Sequence, residues 1–485
     1  MTKNKKNNFK IALVLFILLI STYLRFHNIN YEGFWTDEIF AFYTSEPNIS
    51  FKETLIRTLD TNFNSLFDFS LKKFHSIFGY DVHTSRYFSL LLSFLTLATF
   101  TILLSKITNY SSLIFGLYIL SINIFHIRYS TEVRSYILTF LLAIIFIYLN
   151  FKDKDNEHKL TLKRLSLIIF TSILMILSHA FTLLILGSFI LFKVLKILKN
   201  KKIHTLEITL ILGLVSVCML YLFVYLPINI KYADQLIGLS PHWIKQVKLS
   251  FYTNFFFSQY FGSRILGLIY LIILIFIIFK FKKRLLEKLN IYSFFVILIF
   301  CSYAVPLIYG YLFGPVLIGR YIMFILIPII CLIAHFIFLI NNNLIKYLFL
   351  ILIIFTTSLN HIFFENTFKQ FYTNINFTKP QLRDALKTID DSNIKNFSVK
   401  KVEAKEKNLN ESYENYVKKY LEKLGFEINY IDYESNKNVP KKFWLIDIRD
   451  AYKEELILTR NINDYKIDKK LYFNSLELIL LVKNN

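Results

Sequence analysis

The sequence predicts a mainly α-helical polytopic membrane protein with about eleven transmembrane helices, interfacial helices in the first outer loop and a small C-terminal α/β outer domain. Hydrophobic residues make up 55% of the 485 positions and charged residues only 19%, whereas soluble chains carry about 25% charged residues. Glycine occurs only 12 times, which argues against a Gly-rich nucleotide-binding protein. The abundance of apolar residues excludes a disordered chain.

Apolar runs of about 18–20 residues, the length that crosses a bilayer, recur up to residue 360 and end there. The predicted spans are 11–24, 87–105, 111–127, 134–150, 165–180, 181–198, 206–227, 264–279, 291–309, 321–340 and 344–360. Residues 1–360 are therefore predicted to form a transmembrane domain. Residues 361–485 are predicted to form a separate soluble domain.

Lysine positions predict the orientation, because lysine and arginine accumulate in cytoplasmic loops. With the N-terminus inside, most lysines of residues 1–360 fall in cytoplasmic loops, and the C-terminal domain falls outside. The net charge of +22 is thus mostly a topological signal, and we predict no nucleic-acid partner. The predicted location is the cytoplasmic membrane.

Most arginines of the same region fall on the outer face, against that trend. They are Arg25, Arg57, Arg86, Arg128, Arg134, Arg264 and Arg320. Each one alone is explained by snorkelling or by pairing with an outer carboxylate. Together they favour an anionic ligand at the outer face, because the planar guanidinium binds phosphate through two hydrogen bonds.

The first outer loop contains Trp35-Thr36-Asp37-Glu38 directly after the first span. Two adjacent carboxylates at a membrane exit are a candidate catalytic pair, although acidic residues are also common in a first helical turn. The following stretch, Phe51 to Phe78, has helical apolar spacing with interleaved lysine and arginine. That pattern predicts amphipathic helices lying at the membrane interface.

Three further segments place polar groups on the same face. The third and fourth spans are joined by a turn containing Arg128, Tyr129, Glu132 and Arg134, and charges near membrane depth are candidates for function. The alternative is a pair formed by Glu132 with one of the two arginines. His179 ends the fifth span, where a structural role is the alternative, and Arg320-Tyr321 opens the tenth span.

With these residues the chain resembles membrane glycosyltransferases of the C superfamily, in particular the family-39-like group of protein O-mannosyltransferases and lipid A aminoarabinose transferases. The motifs that carry the resemblance are Trp35-Thr-Asp37-Glu38, Tyr129-Ser-Thr-Glu132-Val-Arg134-Ser-Tyr136, Ser178-His179-Ala180 and Arg320-Tyr321 with Pro328. Residues 20–150 match best, and the likeness extends loosely to about residue 340. Related chains often carry a proline-containing stretch where this one has Asn62–Asp68 without prolines.

The resemblance implies transfer of a sugar from a polyprenyl-phosphate donor to a hydroxyl of a glycan, lipid or protein acceptor, with inversion at the anomeric carbon. Asp37 would act as the base, and Glu38 would orient the acceptor or hold the loop. Arg320, with Arg134 or His179, would stabilise the departing phosphate. Trp35, Arg128, Tyr129, Glu132 and Tyr321 would support the site. No cofactor is required by the sequence, although some members of the superfamily use a divalent metal at this carboxylate.

Two other classes of protein remain open. A transporter or flippase of lipid-linked saccharides would show polar residues at mid-membrane and broken helices in paired repeats. A membrane-anchored binding protein would leave the outer arginines and the Asp37-Glu38 pair without a role.

The C-terminal domain is predicted as helices over Gln381–Ile389 and Glu411–Leu424 and strands over Asn396–Val402, Phe426–Tyr433, Lys442–Ile448 and Leu476–Val482, with an irregular stretch around 450–475. Either acceptor binding or a lid-like, stabilising role fits this domain.

Overall fold

The computed structural model describes residues 3–27, 29–30, 32–61, 65–151, 160–201, 204–228, 244–287, 289–360, 381–399, 418–431, 439–448 and 464–484. The described chain is mostly helical and ends in a small sheet. The mainly helical class predicted from the composition is confirmed.

Helix α1 (Lys3–Phe26) leads into a segment that carries three further helices before the next long one. These are α2 (Thr36–Thr44), α3 (Phe51–Thr61) and α4 (Ser65–Phe78), so the amphipathic stretch Phe51–Phe78 forms two helices. Both bury one face and leave aromatic residues such as Phe51 and Phe78 exposed. Residues 62–64 of the proline-free stretch lie outside the described residues.

The helices that follow are named here in chain order. They are α5 (Val82–Ile107), α6 (Tyr110–Ser121), α7 (Ile124–Ser130), α8 (Tyr136–Phe151), α9 (Leu162–Ser178), α10 (Thr182–Asn200) and α11 (Thr205–Leu220), with a π-helical turn Tyr221–Tyr225, then Leu249–Tyr252, Phe257–Phe261, Arg264–Lys280, Lys282–Glu287, Ile291–Leu312, a 3₁₀ segment Gly319–Ile325, Leu326–Ile337, Asn343–Asn360 and Leu382–Asp390.

Side-chain caps fix where several of these helices begin. Asp81, Asn109, Asn123 and Thr161 each accept a hydrogen bond from a backbone N–H of the turn that follows. Such a cap satisfies one of the donors that a helix start otherwise leaves without a partner.

Within the described ranges, five helices are long and apolar enough to cross a membrane, which makes this a multi-pass membrane protein by length and composition. They are Asn8–Phe26, Val82–Ile107, Thr205–Ile228, Ile291–Leu312 and Gly319–Ile337, and α6 with α7 make a sixth if that pair, bent by 57°, is one span. The other predicted spans are helices that are shorter or carry more charge, such as α8 with 16 residues and α10 with Lys193, Lys196 and Lys199.

Burial places the helix that follows Gly319 at the centre of the bundle. In its most apolar window 83% of the residues are buried, against 17% for the first span. Residues at its start, including Arg320, are therefore held by neighbours on several sides.

The C-terminal sheet has the strand order β2-β1-β3-β5-β4. Its strands are β1 (Asn396–Val399), β2 (Asn429–Tyr430), β3 (Lys442–Ile448), β4 (Tyr465–Phe473) and β5 (Leu476–Lys483). Strand β1 runs parallel to β2 and β3, whereas β5 runs antiparallel to β3 and β4. The four predicted strands are present, and a helix covers 418–424 of the predicted Glu411–Leu424. Residues 411–417 lie outside the described part.

One prediction about this domain is wrong. The stretch around 450–475 was expected to be irregular, but Tyr465–Phe473 forms β4 at the edge of the sheet. Residues 449–463 lie outside the described part.

The C-terminal domain docks onto the segment between α1 and α2. The ring of Tyr420 stacks on Phe34, with 5.6 Å between centroids, and its hydroxyl accepts the N–H of Phe34 at 3.1 Å. Arg383 donates to the carbonyl of Asn30 at 2.8 Å. A side chain at Gly33 would place its Cβ 2.7 Å from Cβ of Arg383, so the close approach requires glycine.

Candidate functional site

The Trp35-Thr-Asp37-Glu38 motif forms the start of α2. Glu38 is fully buried, and its Oε2 accepts the N–H of Trp35 at 3.3 Å. Its Oε1 accepts the N–H of Val133 at 2.9 Å, from the turn between α7 and α8. Glu38 therefore joins the segment after α1 to that turn, a geometry that favours a loop-holding role over contact with a substrate.

Arg86, in the first turns of α5, is the cation beside Glu38, with 3.8 Å between Nη2 and Oε2. It donates to the carbonyls of Ile29 at 2.7 Å and Glu32 at 2.8 Å, and its guanidinium lies 5.2 Å from the ring centre of Phe34. The sequence analysis identified Arg86 only as one of the predicted outer arginines. Its position at the start of a long apolar helix was the one feature of the sequence that could have indicated this structural role.

Asp37 points away from Glu38, toward Arg134. Its Oδ2 lies 3.5 Å from Nη2 of Arg134, and 26% of its side chain is exposed against 11% for Arg134. Nη1 of Arg134 also donates to the backbone carbonyl of Asp37 at 3.3 Å. Asp37 is thus an accessible carboxylate held beside a permanent cation.

Arg320 lies among aromatic rings at the same place. Its guanidinium is 5.3 Å from the ring of Trp35, 5.9 Å from Tyr136 and 5.7 Å from Tyr321. A cation over several ring faces is held by their quadrupoles.

The backbone beside Arg320 is fixed from the preceding segment. The hydroxyl of Tyr260 donates to the carbonyl of Gly319 at 3.1 Å. A Cβ at Gly319 would meet the amide oxygen of Gln259, so a larger residue here would displace this side chain.

His179 completes the ring cluster from the end of α9. Its ring centre lies 5.1 Å from Tyr321 and 5.8 Å from Tyr136. Nδ1 accepts the N–H of Phe181 at 3.2 Å, so Nδ1 carries no proton and the ring is the neutral tautomer with its proton on Nε2. His179 can therefore donate a hydrogen bond but supplies no positive charge.

The remaining predicted residues form the wall behind the cluster. Tyr129 is buried and lies edge-on to Tyr136 at 5.2 Å, and Arg128 lies 6.0 Å from the ring of Tyr129. Glu132 is buried in the turn, where its backbone carbonyl accepts the N–H of Arg134 at 2.8 Å. Tyr136 belonged to the quoted motif, but its central place among these rings was not predicted.

Asp68 on α4 is a further buried acid that the sequence did not single out. Its Oδ2 accepts the hydroxyl of Thr58 at 2.9 Å. Burial raises its pKa to about 7, while Thr58, Arg134 and Thr44 oppose the shift. A carboxyl that titrates near neutrality close to an arginine of the site is a functional candidate.

Among the described residues, no group of three His, Cys, Asp or Glu side chains lies together in a way that could hold a metal ion. Asp37 has a guanidinium as its neighbour, and Glu38 is occupied by backbone N–H groups. These two carboxylates do not assemble a metal-ligand set here.

Comparison with models of known protein families gives no match, and none of the curated proteins compared with the chain matches it.

Proposed function

We propose that this chain is a membrane glycosyltransferase that moves a sugar from a polyprenyl-phosphate donor to an acceptor hydroxyl, with Asp37 as the base. The observation that carries the proposal is one accessible carboxylate, Asp37, paired with Arg134 beside a second arginine, Arg320, held among three aromatic rings. The proposed reaction requires a base for the acceptor hydroxyl and a cation for the departing phosphate, and Asp37 and Arg320 supply these two groups.

In the proposed reaction the acceptor oxygen attacks the anomeric carbon, and the bond from that carbon to the donor phosphate oxygen breaks. Asp37 takes the proton of the acceptor hydroxyl, and polyprenyl phosphate leaves with the electron pair of the broken bond. Arg134 contacts both the carboxylate and the backbone carbonyl of Asp37 and so orients this side chain as a general base. Attack opposite to the leaving group inverts the anomeric centre.

Negative charge develops on the leaving phosphate oxygens, and Arg320 is the residue we assign to it. The rings of Trp35, Tyr136 and Tyr321 surround its guanidinium and position it. The Nε2–H of His179 is a neutral second donor in the same cluster. Preorganised donors of this kind are usually the largest contribution to catalysis.

The wider setting of this proposal is the arrangement expected from the resemblance and from the lysine distribution. The chain crosses the cytoplasmic membrane about eleven times in a glycosyltransferase-C-like fold, with the N-terminus inside and the site and C-terminal domain outside. The amphipathic helices α3 and α4 lie at the outer interface, where the donor phosphate would also lie. The acceptor is a glycan, a lipid or a protein.

Transport of a lipid-linked saccharide is the second candidate. The observation in its favour is the break between α6 and α7, which are bent by 57°, because broken helices are typical of transporter sites. Asn123 caps α7 at this break and donates to the carbonyl of Tyr260, so the break also serves to place the turn that carries Arg134.

The test measures release of polyprenyl phosphate from a polyprenyl-phosphate hexose by the purified, detergent-solubilised protein with a mixed acceptor extract. Asp37→Asn should lower turnover about 10²–10⁴-fold, the usual contribution of a general base, with an unchanged melting temperature. The matched control is Glu53→Gln, which removes a carboxylate from another arginine pair, 2.8 Å from Arg57, and should keep full turnover.

Normal turnover by the folded Asp37→Asn protein would contradict the base assignment. A transporter instead moves the donor across a vesicle membrane without consuming it. Mass analysis of surface glycans from cells lacking the protein would then identify the sugar and its acceptor.

A further inference from the structure

A cavity of about 290 Å³ lies at the far end of the helices that carry the candidate site. It opens between the end of α8, the start of α9, the second half of α10 and the start of helix Ile291–Leu312. Its lining residues are Ile107, Asn150, Phe151, Arg164, Phe192, Lys193, Lys196, Asn290, Ile291, Tyr292 and His335.

This cavity is separate from the proposed donor site. Helix α8 runs from Tyr136 in the aromatic cluster to Phe151 at the cavity, and its 16 residues span about 24 Å at 1.5 Å per residue. Helix α9 runs in the opposite direction, from Arg164 at the cavity to His179, which directly follows its last residue. The two sites therefore lie at opposite ends of these two helices.

The cavity is cationic. Arg164, Lys193 and Lys196 line it, and no acidic residue is among the lining side chains of the described chain. Arg164 donates through Nε to the carbonyl of Leu149, which holds its guanidinium at the end of α8. Lys193 is positioned by Glu207, with 3.0 Å between Nζ and Oε1. Lys196 adds a third cation to the lining, and cations from three chain positions attract a compact anion such as a phosphate group.

The rest of the wall combines polar groups with flat apolar faces. Tyr292 stacks on His335 at 4.2 Å and donates its hydroxyl to the carbonyl of Ile107 at 2.6 Å. Asn150 and Asn290 add amide groups, while Phe151 and Phe192 add apolar surface. A ligand with an anionic polar head and an adjoining apolar part fits this composition.

We propose that this cavity binds a phosphate ester, supplied by an anionic phospholipid headgroup or by a soluble phosphate ester. The volume is near the lower end of small-molecule sites, about 300 Å³, which suits a headgroup better than a whole lipid-linked sugar. Basic pockets between membrane helices are a known form of headgroup recognition. In the proposed orientation the cavity faces the cytoplasmic leaflet. The proposal does not depend on the glycosyltransferase assignment.

The test uses the full-length protein in lipid nanodiscs and measures its melting temperature. One set of discs contains phosphatidylcholine alone and a second contains added phosphatidylglycerol. A third condition adds glycerol 3-phosphate to the phosphatidylcholine discs. A ligand that binds only the folded protein raises the melting temperature, and we expect a rise of a few degrees in the second or third condition.

Arg164→Gln and Lys196→Gln should abolish that rise, whereas Lys196→Arg should keep it. The matched control is Lys163→Gln, which removes a cation one residue from Arg164 on an exposed side chain outside the lining, and it should keep the rise. A rise with phosphatidylglycerol alone identifies a lipid ligand, and an equal rise with glycerol 3-phosphate identifies a soluble one. The proposal fails if neither phosphate source stabilises the wild type, or if Arg164→Gln and Lys196→Gln respond as Lys163→Gln does.

Discussion

Glu38→Gln separates a loop-holding residue from a catalytic one. The wild-type carboxylate accepts from two backbone N–H groups, of Trp35 and Val133, and faces Arg86. A glutamine has one oxygen for these partners, and its NH₂ group must face a donor. We therefore expect one buried N–H without an acceptor, which costs about 1–3 kcal/mol.

The loss of charge opposite Arg86 adds to this cost. Breaking a buried ion pair costs about 3–5 kcal/mol, but here the charged atoms are 3.8 Å apart and Arg86 keeps its carbonyl acceptors. The lower end of that range applies, about 3 kcal/mol, which together with the unpaired N–H gives a total of about 4–6 kcal/mol. The connection between the segment after α1 and the turn after α7 should therefore loosen.

The assay pairs a thermal melt of the solubilised protein with hydrogen exchange of residues 27–46. We expect a lower melting temperature and faster exchange in Glu38→Gln, and neither change in Asp37→Asn. Two results would refute the reasoning. One is wild-type melting and exchange in Glu38→Gln, and the other is an intact fold with turnover lost as in Asp37→Asn, which would make Glu38 a substrate contact.

Three further predictions concern the site and its support. Arg320→Lys keeps the charge but loses the planar stacking, so the KM for the donor should rise about ten- to a hundred-fold, equivalent to about 1–3 kcal/mol. The control Arg264→Lys, at an exposed residue, should leave this KM unchanged. An unchanged KM in Arg320→Lys would exclude the contact with the donor. Asp68 keeps its proton to about pH 7 in the folded protein but loses it near pH 4 in the unfolded chain. The free energy of unfolding should therefore fall by up to about 4 kcal/mol as the pH rises from 4 to 7, and then level off. The same pH dependence of the melting temperature in Asp68→Asn would disprove this. Tyr420→Phe removes the acceptor of the Phe34 N–H and keeps the ring stacking, so it should lower the free energy of unfolding by about 1–3 kcal/mol and speed proteolysis before α2. The control Tyr472→Phe, at an exposed residue, should change neither. Equal proteolysis of the two variants would count against docking through this hydrogen bond.

The sequence was informative about the site because charge is costly near a membrane. Asp37, Arg134, Arg320 and His179 come from four separate segments, and their shared face was predicted from topology alone. The structure brings these four segments together. Arg86 was predicted only as one of the outer arginines, because an arginine at the start of an apolar helix has the same sequence pattern whether it faces lipid headgroups or holds a loop.

Helix breaks and edge strands were harder to predict. Hydropathy predicts one continuous span over 111–127, but Asn123 caps a new helix there and the chain bends. This effect depends on one side chain, and hydropathy averaged over a window does not detect it. Strand β4 reads as charged and irregular because it is an edge strand rich in lysine, a common protection against unwanted pairing, and a register shift between Ile467 and Lys469 disturbs its alternation.

The docking of Tyr420 and Arg383 onto Phe34 and Asn30 also has a consequence for synthesis. Arg383 is added 353 residues after Asn30, and Tyr420 is added 386 residues after Phe34. In the proposed orientation they must also be exported across the membrane. A chain that ends before residue 383 would therefore lack both contacts, and Glu38 and Arg86 alone would hold the segment before α2.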